Sequence, residues 1–290
     1  MHSSKYVTPF LKTFQSCHRR IIPALQGSTL IRTLTIIHPV DNTKPRKGTT
    51  SLTLNGLQSY AKFKKRNTLS NIRFKSDSAP KVPKDILLTA NKNGVTTLTM
   101  NQPKKLNGWT GPMMIALRDA LLNAARDGNT KVAILTGADP YYCAGVNLSD
   151  TIKPMHPATL HKMIVESNAA IFNSFIDFPK PLIIAANGPA IGACFTSATL
   201  ADCIIASEKA TFSTPFHRLG VTPEGCSSVH FERIMGKKNA ERMLGAEGWT
   251  PTAAEAKVAG FVAEVVPHDK LLSRSQELAE KVNTQHYKKY

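Results

Sequence analysis

The sequence lacks the patterns that would indicate a membrane span, a metal site or a phosphate-binding loop. No apolar run reaches the roughly 18 residues that a membrane helix needs. The 5 cysteines include no C-x-x-C pair, so we predict reduced thiols and neither a disulfide framework nor a zinc site. Neither G-x-G-x-x-G nor a glycine-rich loop ending in Gly-Lys-Ser/Thr is present, which argues against a dinucleotide or nucleotide phosphate site.

Acidic residues are scarce in the N-terminal quarter, where basic residues concentrate. Residues 1–80 hold 14 Lys and Arg against Asp41 and Asp77, a net charge of +12 out of +17 for the whole chain. The first 40 residues contain no acid and many Ser, Thr and Arg, a composition typical of a mitochondrial presequence. A disordered basic tail that binds an acidic partner is the alternative.

We therefore predict targeting sequence and disordered linker over residues 1–80, and a mitochondrial matrix location. The sequence ends His-Tyr-Lys-Lys-Tyr rather than in the common peroxisomal tripeptide, and a peroxisomal location stays open as the alternative. The rest of the chain is only mildly basic. We therefore predict no nucleic-acid face on the folded part, which we place at residues 81–290.

From Ile86 onward, short apolar strands alternate with segments of helical period. Continuous apolar strands linked by helices imply an α/β fold whose sheet is covered on both faces. The predicted strands are Leu87–Ala90, Val95–Met100, Lys131–Thr136, Leu182–Ala186, Cys203–Ala206 and Phe261–Val266. The predicted helices run from Pro112 to Gly128, over Ala158–Phe178, Ser227–Met235 and Ala240–Leu244, from Thr252 to Gly260, and over Leu271–Asn283.

Two loops of small residues, Tyr142–Leu148 and Gly188–Cys194, follow apolar strands. Small side chains let a ligand reach backbone N–H groups, and loops at strand ends can bring two such donors to one oxygen. Tight packing of helix on strand is the alternative for either loop alone. Glu224 lies between Pro223 and Gly225 in a turn that directs its side chain. We interpret Glu224 as a catalytic base; an exposed turn glutamate is the alternative.

Six motifs in order along the chain resemble the crotonase, or enoyl-CoA hydratase/isomerase, superfamily, most closely its Δ3,Δ2-enoyl-CoA isomerase branch. They are Pro103–Asn107, Tyr142–Leu148, Phe178–Leu182, Asn187–Gly192, Ala210–Phe216 and Leu219–Ser228, within about Pro83 to Lys281. The resemblance implies an α/β spiral of ββα units that assembles as a homotrimer or hexamer. It also implies an acyl-CoA substrate, with coenzyme A as part of the substrate and no separate cofactor or metal.

The resemblance also implies roles for individual residues. Peptide N–H groups of Ala144 and Ala193 would bind the thioester oxygen, and Glu224 would be the base. Family hydratases activate water with two glutamates, and Thr196 and Phe216 occupy those places here. The implied reaction is therefore isomerisation of 3-enoyl-CoA to trans-2-enoyl-CoA in β-oxidation. The implied substrate-binding residues are Cys143, Gly145, Val146, Asn147, Leu148, Gly192 and Phe216, with Lys104 and Lys105 near the CoA phosphates.

Two departures from the family pattern leave other functions open. Asn147 stands where the family loop commonly has Asp. Family members also usually continue past the position of Tyr290 with helices that cover the acyl site and build the trimer. The alternatives are a catalytically weak acyl-CoA-binding or interaction protein of the same fold, and an enoyl-CoA hydratase.

Overall fold

The computed structural model describes residues 82–148 and 155–286, and the predictions for residues 1–80 lie outside the described residues. A six-stranded mixed sheet in the order β1-β2-β3-β4-β6-β8 forms its centre. The large sheet consists of β1 (Leu87–Lys92), β2 (Val95–Met100), β3 (Val132–Gly137), β4 (Leu182–Ala186), β6 (Cys203–Ser207) and β8 (Glu264–Val266). The predicted strands are confirmed, although β8 is shorter than predicted.

The first two strands form a hairpin, and the other strand pairs in the described residues are parallel. Strands β1 and β2 run antiparallel, with Leu87 opposite Met100, and Gly94 in their turn has φ +79°. The pairs β2–β3, β3–β4, β4–β6 and β6–β8 are parallel. Parallel neighbours need crossover connections, which helices supply here.

The helices lie close to their predicted positions. They are α1 (Gly111–Arg126), α2 (Pro157–Ile176), α3 (Ala193–Ala198), α4 (Phe216–Leu219), α5 (Ser227–Leu244), α6 (Ala253–Ala259) and α7 (Leu271–His286). Thr252 and Glu255 form a capping box at the start of α6, which stabilises its first turn. The predicted interruption within α5 is a single residue, Gly236, with φ +79°. None of the helices in the described part of the chain is long and apolar enough to cross a membrane.

Two apolar cores cover the two faces of the sheet, as the continuous apolar strands predict. Successive strand residues point to opposite faces, so Leu135 and Ile184 join one core while Ile134 and Ile183 join the other. Helices α1 and α2 pack in the first core and α7 packs in the second. The two cores hold the carboxyl ends of β3 and β4 rigidly, and the two small-residue loops begin there.

A second, two-stranded parallel sheet pairs β5 (Ala190–Ile191) with β7 (Phe212–Ser213). Strands of two residues are too short to give a period in the sequence, and we did not predict them. The Gly192 N–H donates to the Ser213 carbonyl across 2.8 Å. The small sheet therefore fixes the chain where it enters α3.

Candidate active site

The two small-residue loops lie side by side. Cys143 and Ala190 form a parallel bridge, in which Cys143 N donates to Pro189 O and Ile191 N donates to Cys143 O, at 3.1 and 3.0 Å. Gly145 has φ +93°, and a Cβ there would lie 2.9 Å from the Ile191 carbonyl oxygen. Only glycine allows this close approach of two backbones.

The N–H group expected to act at Ala144 is already used within the fold. It donates to Leu106 O across 3.0 Å. Gly145 O accepts from Trp109 N, and Asn147 N donates to Trp109 O, at 2.8 and 3.0 Å, so both groups face Trp109. The Val146 N–H between them faces the opposite side and has no acceptor within residues 82–148 and 155–286. The expected donor at Ala144 is therefore corrected to Val146.

The Ala193 N–H has no acceptor in the part of the chain that the structure describes. Ala193 is the first residue of α3, and its N–H has no helical acceptor because only Gly192 precedes it as the cap. The bridge between Cys143 and Ala190 also sets the register of the two loops. Val146 and Ala193 each come three residues after one member of that bridge.

Glu224 lies in a tight turn that packs directly on α2 and α3. Gly225 has φ +62°, and a Cβ there would lie 2.5 Å from the Phe172 ring and would also collide with the Thr196 hydroxyl. Thr196 lies in the first turn of α3, three residues after Ala193. The Glu224 turn is therefore seated against the helix that begins with one of the two free N–H groups.

The Glu224 carboxylate has one side-chain partner, which the sequence analysis missed. Asn168 Nδ2 donates to Glu224 Oε2 across 2.8 Å. Burial raises the pKa of Glu224 above its usual value, and the hydrogen bond from Asn168 opposes part of that rise. Asn168 falls on the apolar stripe of α2, four residues after Ile164 and three before Ile171. A polar residue on an apolar stripe is the feature of the sequence that could have indicated this partner.

The two positions that correspond to hydratase glutamates are buried and carry no acid. Thr196 is fully buried, and its hydroxyl donates to Ala193 O across 3.1 Å. Phe216, in α4, is 3% exposed. Neither side chain can act as an acid or a base towards water, which leaves Glu224 as the candidate among the described residues.

Three further predicted residues, Lys104, Lys105 and Leu148, are exposed at or next to the Tyr142–Leu148 loop. Lys104 and Lys105 are exposed on a 3-10 helix, Pro103–Lys105, next to Leu106, whose carbonyl accepts the Ala144 N–H. Leu148 is 47% exposed at the end of a described range. The lysines thus lie where a charged ligand group could approach from solvent.

The Asn107 side chain forms hydrogen bonds to three backbone groups next to this loop. Its Oδ1 accepts from Gln102 N at 2.9 Å, and its Nδ2 donates to Ala138 O and Tyr141 O at 2.6 and 2.7 Å. The side chain is fully buried. It therefore holds the segment that carries Lys104 and Lys105 against the segment that leads into Cys143.

Cys143 and Cys194 lie close together, with Cα atoms 6.1 Å apart and their sulfur atoms in contact, whereas Cys203 and Cys226 are free. The expectation of reduced thiols stays a prediction. No motif in the sequence indicates the contact between Cys143 and Cys194. Within the described ranges, no three His, Cys, Asp or Glu side chains are grouped closely enough to hold a metal ion.

A cavity of about 420 Å³ lies between β1, β2 and α1, and Glu224 does not line it. Its walls include Leu87, Thr96 and Ala120. The hydrogen-bonded carboxylate and the two unpaired N–H groups lie elsewhere. We therefore take Glu224 and the paired loops, rather than this cavity, as the candidate active site.

The chain is similar in sequence to proteins of one known family. Residues 90–290 match the family described as enoyl-CoA hydratase/isomerase. The chain is 40% identical over 197 residues to enoyl-CoA delta isomerase 3, peroxisomal, of Mus musculus, which covers 66% of this chain and 60% of that protein. It is also 40% identical over 195 residues to enoyl-CoA delta isomerase 2 of Rattus norvegicus, covering 66% of this chain and 49% of that protein. The chain thus spans about half the length of these relatives.

A solved structure with the same family description is also similar to this chain. The enoyl-CoA hydratase/isomerase from Pseudoalteromonas atlantica T6c matches with a TM-score of 0.62 and 30% identity. The match covers 68% of this chain and 76% of that one. The arrangement of strands and helices is therefore shared with a protein of the same description.

Proposed function

Because the chain belongs to the enoyl-CoA hydratase/isomerase family, we propose that it isomerises 3-enoyl-CoA, cis or trans, to trans-2-enoyl-CoA in the β-oxidation of unsaturated fatty acids. Membership of the family and the crotonase-type α/β fold, both expected from the six motifs, are confirmed. The observation that carries the choice of isomerase is Glu224, a half-buried carboxylate bonded to Asn168, with no acid at Thr196 or Phe216.

The proposed reaction needs one base and one oxyanion site. The Glu224 carboxylate removes a proton from C2, and the electron pair of that C–H bond moves towards the thioester carbonyl to give a dienolate. The Val146 and Ala193 N–H groups donate to the enolate oxygen, and each such donor is typically worth about 3 kcal/mol. Protonated Glu224 then returns the proton to C4, and the double bond lies between C2 and C3.

Burial of Glu224 suits this proton shuttle. A carboxylate with a raised pKa is a stronger base towards a weakly acidic C–H. Asn168 orients the carboxylate by holding Oε2, which leaves Oε1 for the substrate. Lys104 and Lys105 would bind the phosphates of coenzyme A at the exposed rim.

Assembly and location are further parts of the proposal. The resemblance supports a homotrimer or hexamer, which light scattering of the purified chain would test. The mouse relative is named as peroxisomal, which supports that compartment as the alternative to the mitochondrial matrix. Fractionation of cells that express the full chain would distinguish the two.

The decisive experiment is conversion of trans-3-hexenoyl-CoA by the full chain and by Glu224→Gln. We expect turnover to fall by several orders of magnitude in Glu224→Gln, because the amide cannot accept a proton. Glu232→Gln, an exposed glutamate on α5, is the matched control and should keep full activity. Equal turnover in both variants would exclude Glu224 as the base. Binding of the thioester without turnover in the unmodified chain would favour the acyl-CoA-binding alternative.

A further inference from the structure

Four hydrogen-bonded side chains cross the carboxyl end of the large sheet, where both donor loops begin. We call them the edge network: Asp139, Asn187, Ser207 and His268, which end or follow β3, β4, β6 and β8. Asn187 Nδ2 donates to Asp139 Oδ1 across 2.9 Å. His268 Nε2 lies 3.0 Å from Asp139 Oδ2, and its Nδ1 lies 3.0 Å from Ser207 Oγ. The network therefore joins four parallel strands that are far apart in the sequence.

The donors and acceptors of the edge network follow from the charge of Asp139. Burial opposes its ionisation, but hydrogen bonds from Asn187 and His268 outweigh burial and hold the pKa of Asp139 below its usual value. An ionised carboxylate only accepts hydrogen bonds, so His268 Nε2 carries the proton that faces it. In the neutral imidazole, Nδ1 then accepts from the Ser207 hydroxyl, whose oxygen accepts from Lys209 N across 3.1 Å.

The serine of the edge network is not placed to act as a nucleophile. Serine, histidine and aspartate also form hydrolytic triads, in which histidine Nε2 faces the serine. Here Nδ1 faces Ser207, and Ser207 is fully buried. A substrate carbonyl cannot reach the hydroxyl, so the network holds backbone segments in place and takes no part in bond formation.

Asn187 is the member of the edge network that contacts the beginning of both donor loops. It directly follows β4, begins the segment that leads to Ala193, and is 5% exposed. Its Oδ1 accepts from Gly137 N at 3.1 Å, and its Nδ2 also donates to Tyr141 O at 3.3 Å. The segment from Gly137 to Tyr141 leads from β3 into the loop of Val146. The Asn187 amide therefore ties the start of one donor loop to the start of the other.

We propose that the edge network positions the Val146 and Ala193 N–H groups relative to each other, with Asn187 acting on both loops. This inference rests on the proposed function only in giving those groups their oxyanion role. Two donors stabilise one oxygen only when both lie within hydrogen-bond distance of it, so a displacement of about 1 Å weakens the transition state's binding. Through His268, the network also connects the site to the segment that enters α7, which packs in the second core.

An exchange of the two facing side chains tests the positioning. Asn187→Asp places a second carboxylate against Asp139, although its oxygen can still accept from Gly137 N. We expect kcat for trans-3-hexenoyl-CoA to fall at least about tenfold and KM to change less, because displaced donors weaken binding of the transition state most. Adding Asp139→Asn makes one donor face one acceptor again and should recover most of the loss. An unchanged kcat in Asn187→Asp, or no recovery in the folded double variant, would overturn the proposal.

Two further variants separate positioning from general damage. Asn123→Asp, at an exposed position on α1, is the matched control and should keep full activity. His268→Ala removes a partly exposed member of the edge network and should lower kcat about threefold. His268→Gln, whose amide can donate to Asp139, should lose less. An unchanged kcat in His268→Ala would overturn the role assigned to His268.

Amide hydrogen exchange tests the two loops without any substrate. The Cys143 and Ile191 N–H groups bond across the loops, so their exchange reports how often the loops separate. We expect faster exchange in peptides that cover residues 142–148 and 188–194 of Asn187→Asp, and slower exchange again in the double variant. Unchanged exchange in Asn187→Asp would overturn the proposal. Absence of isomerase activity in the unmodified chain would instead count against the proposed reaction, and exchange would then decide whether the network holds the loops.

Discussion

Asn168 and Glu224, 56 positions apart in the sequence, are joined by a hydrogen bond of 2.8 Å from Nδ2 to Oε2. Burial is the larger influence on the Glu224 pKa and raises it, and the bond from Asn168 lowers it. The pKa of the proposed base is thus set by two opposing contacts from different parts of the chain. Their balance can be changed at Asn168 without touching Glu224 itself.

We predict that Asn168→Leu moves the acid limb of the kcat–pH profile to higher pH. The unmodified chain should lose activity as pH falls through a pKa above the ordinary glutamate value of 4.5, because the base must be ionised. Leucine removes the donor that favours the carboxylate, so the pKa of Glu224 rises and the acid limb moves to higher pH. Glu166→Gln, an exposed position on the same helix, should leave it in place. An unchanged limb in Asn168→Leu would show that Asn168 does not set the pKa.

We predict that Glu224→Gln stabilises the fold at neutral pH. A raised folded-state pKa means that folding favours protonated Glu224. Its contribution to stability is fully present below the unfolded pKa near 4.5 and is lost as pH rises through the folded pKa. Glutamine carries no charge, so the gain in the free energy of unfolding should be present at pH 8 and should vanish near pH 4. Urea unfolding at both pH values measures it, and a gain of equal size at both would contradict the assignment.

We predict that the N–H of Val146, and not that of Ala144, is needed for catalysis. Replacing the amide by an ester at Val146 or at Ala193, through incorporation of the matching α-hydroxy acid, removes one donor. The expected loss in kcat is about 10²–10³-fold at either position. The same change at Ala144 removes the bond to Leu106 O and should cost stability, about 1 kcal/mol, with little loss of kcat. A large kcat loss at Ala144 with none at Val146 would reverse the assignment.

The sequence predicts the large sheet well because its strands are continuous apolar runs, such as Leu182–Ala186, that are buried on both faces. It also predicts Glu224, because Pro223 and Gly225 set the turn locally. Other features depend on contacts that form only in the fold. Asn168 reaches Glu224 through packing of α2, and the direction of the Val146 N–H follows from the hydrogen bonds of Gly145 O and Asn147 N with Trp109.

The contact between Cys143 and Cys194 and the small sheet could not be predicted, for similar reasons. Cys143 and Cys194 carry no spacing motif, and the parallel bridge between Cys143 and Ala190 brings their two loops together. Strand β5 contains two residues, and its pairing with β7 is set by neighbouring loops. Periodicity over two residues cannot be distinguished from chance, so only the fold reveals these contacts.

We predict that Gly225→Ala damages the site far more than Gly220→Ala. Both glycines have positive φ, +62° and +65°, so an added Cβ strains the backbone equally, by about 1 kcal/mol. At Gly220 the Cβ meets nothing within 4 Å, whereas at Gly225 it collides with Thr196 and Phe172. Overpacking should add about 1–3 kcal/mol there and displace Glu224. Thermal unfolding and kcat measure the two effects, and equal losses in the two variants would exclude the close contact.

We predict that Asn107→Ala destabilises the fold by about 3 kcal/mol and also lowers activity. The change leaves Gln102 N and Ala138 O without their partner and removes one of the two donors to Tyr141 O, the other being Asn187 Nδ2; each unpaired buried group typically costs about 1–3 kcal/mol, reduced where water can enter. Asn101→Ala is the matched control, because Asn101 makes one exposed bond, to Asp85 O, and its loss should cost under about 1 kcal/mol. Urea unfolding compares them. Because Asn107 holds the segment that leads into Cys143, a loss of stability without any loss of kcat would mean that this segment is positioned by its bridge to Ala190 alone.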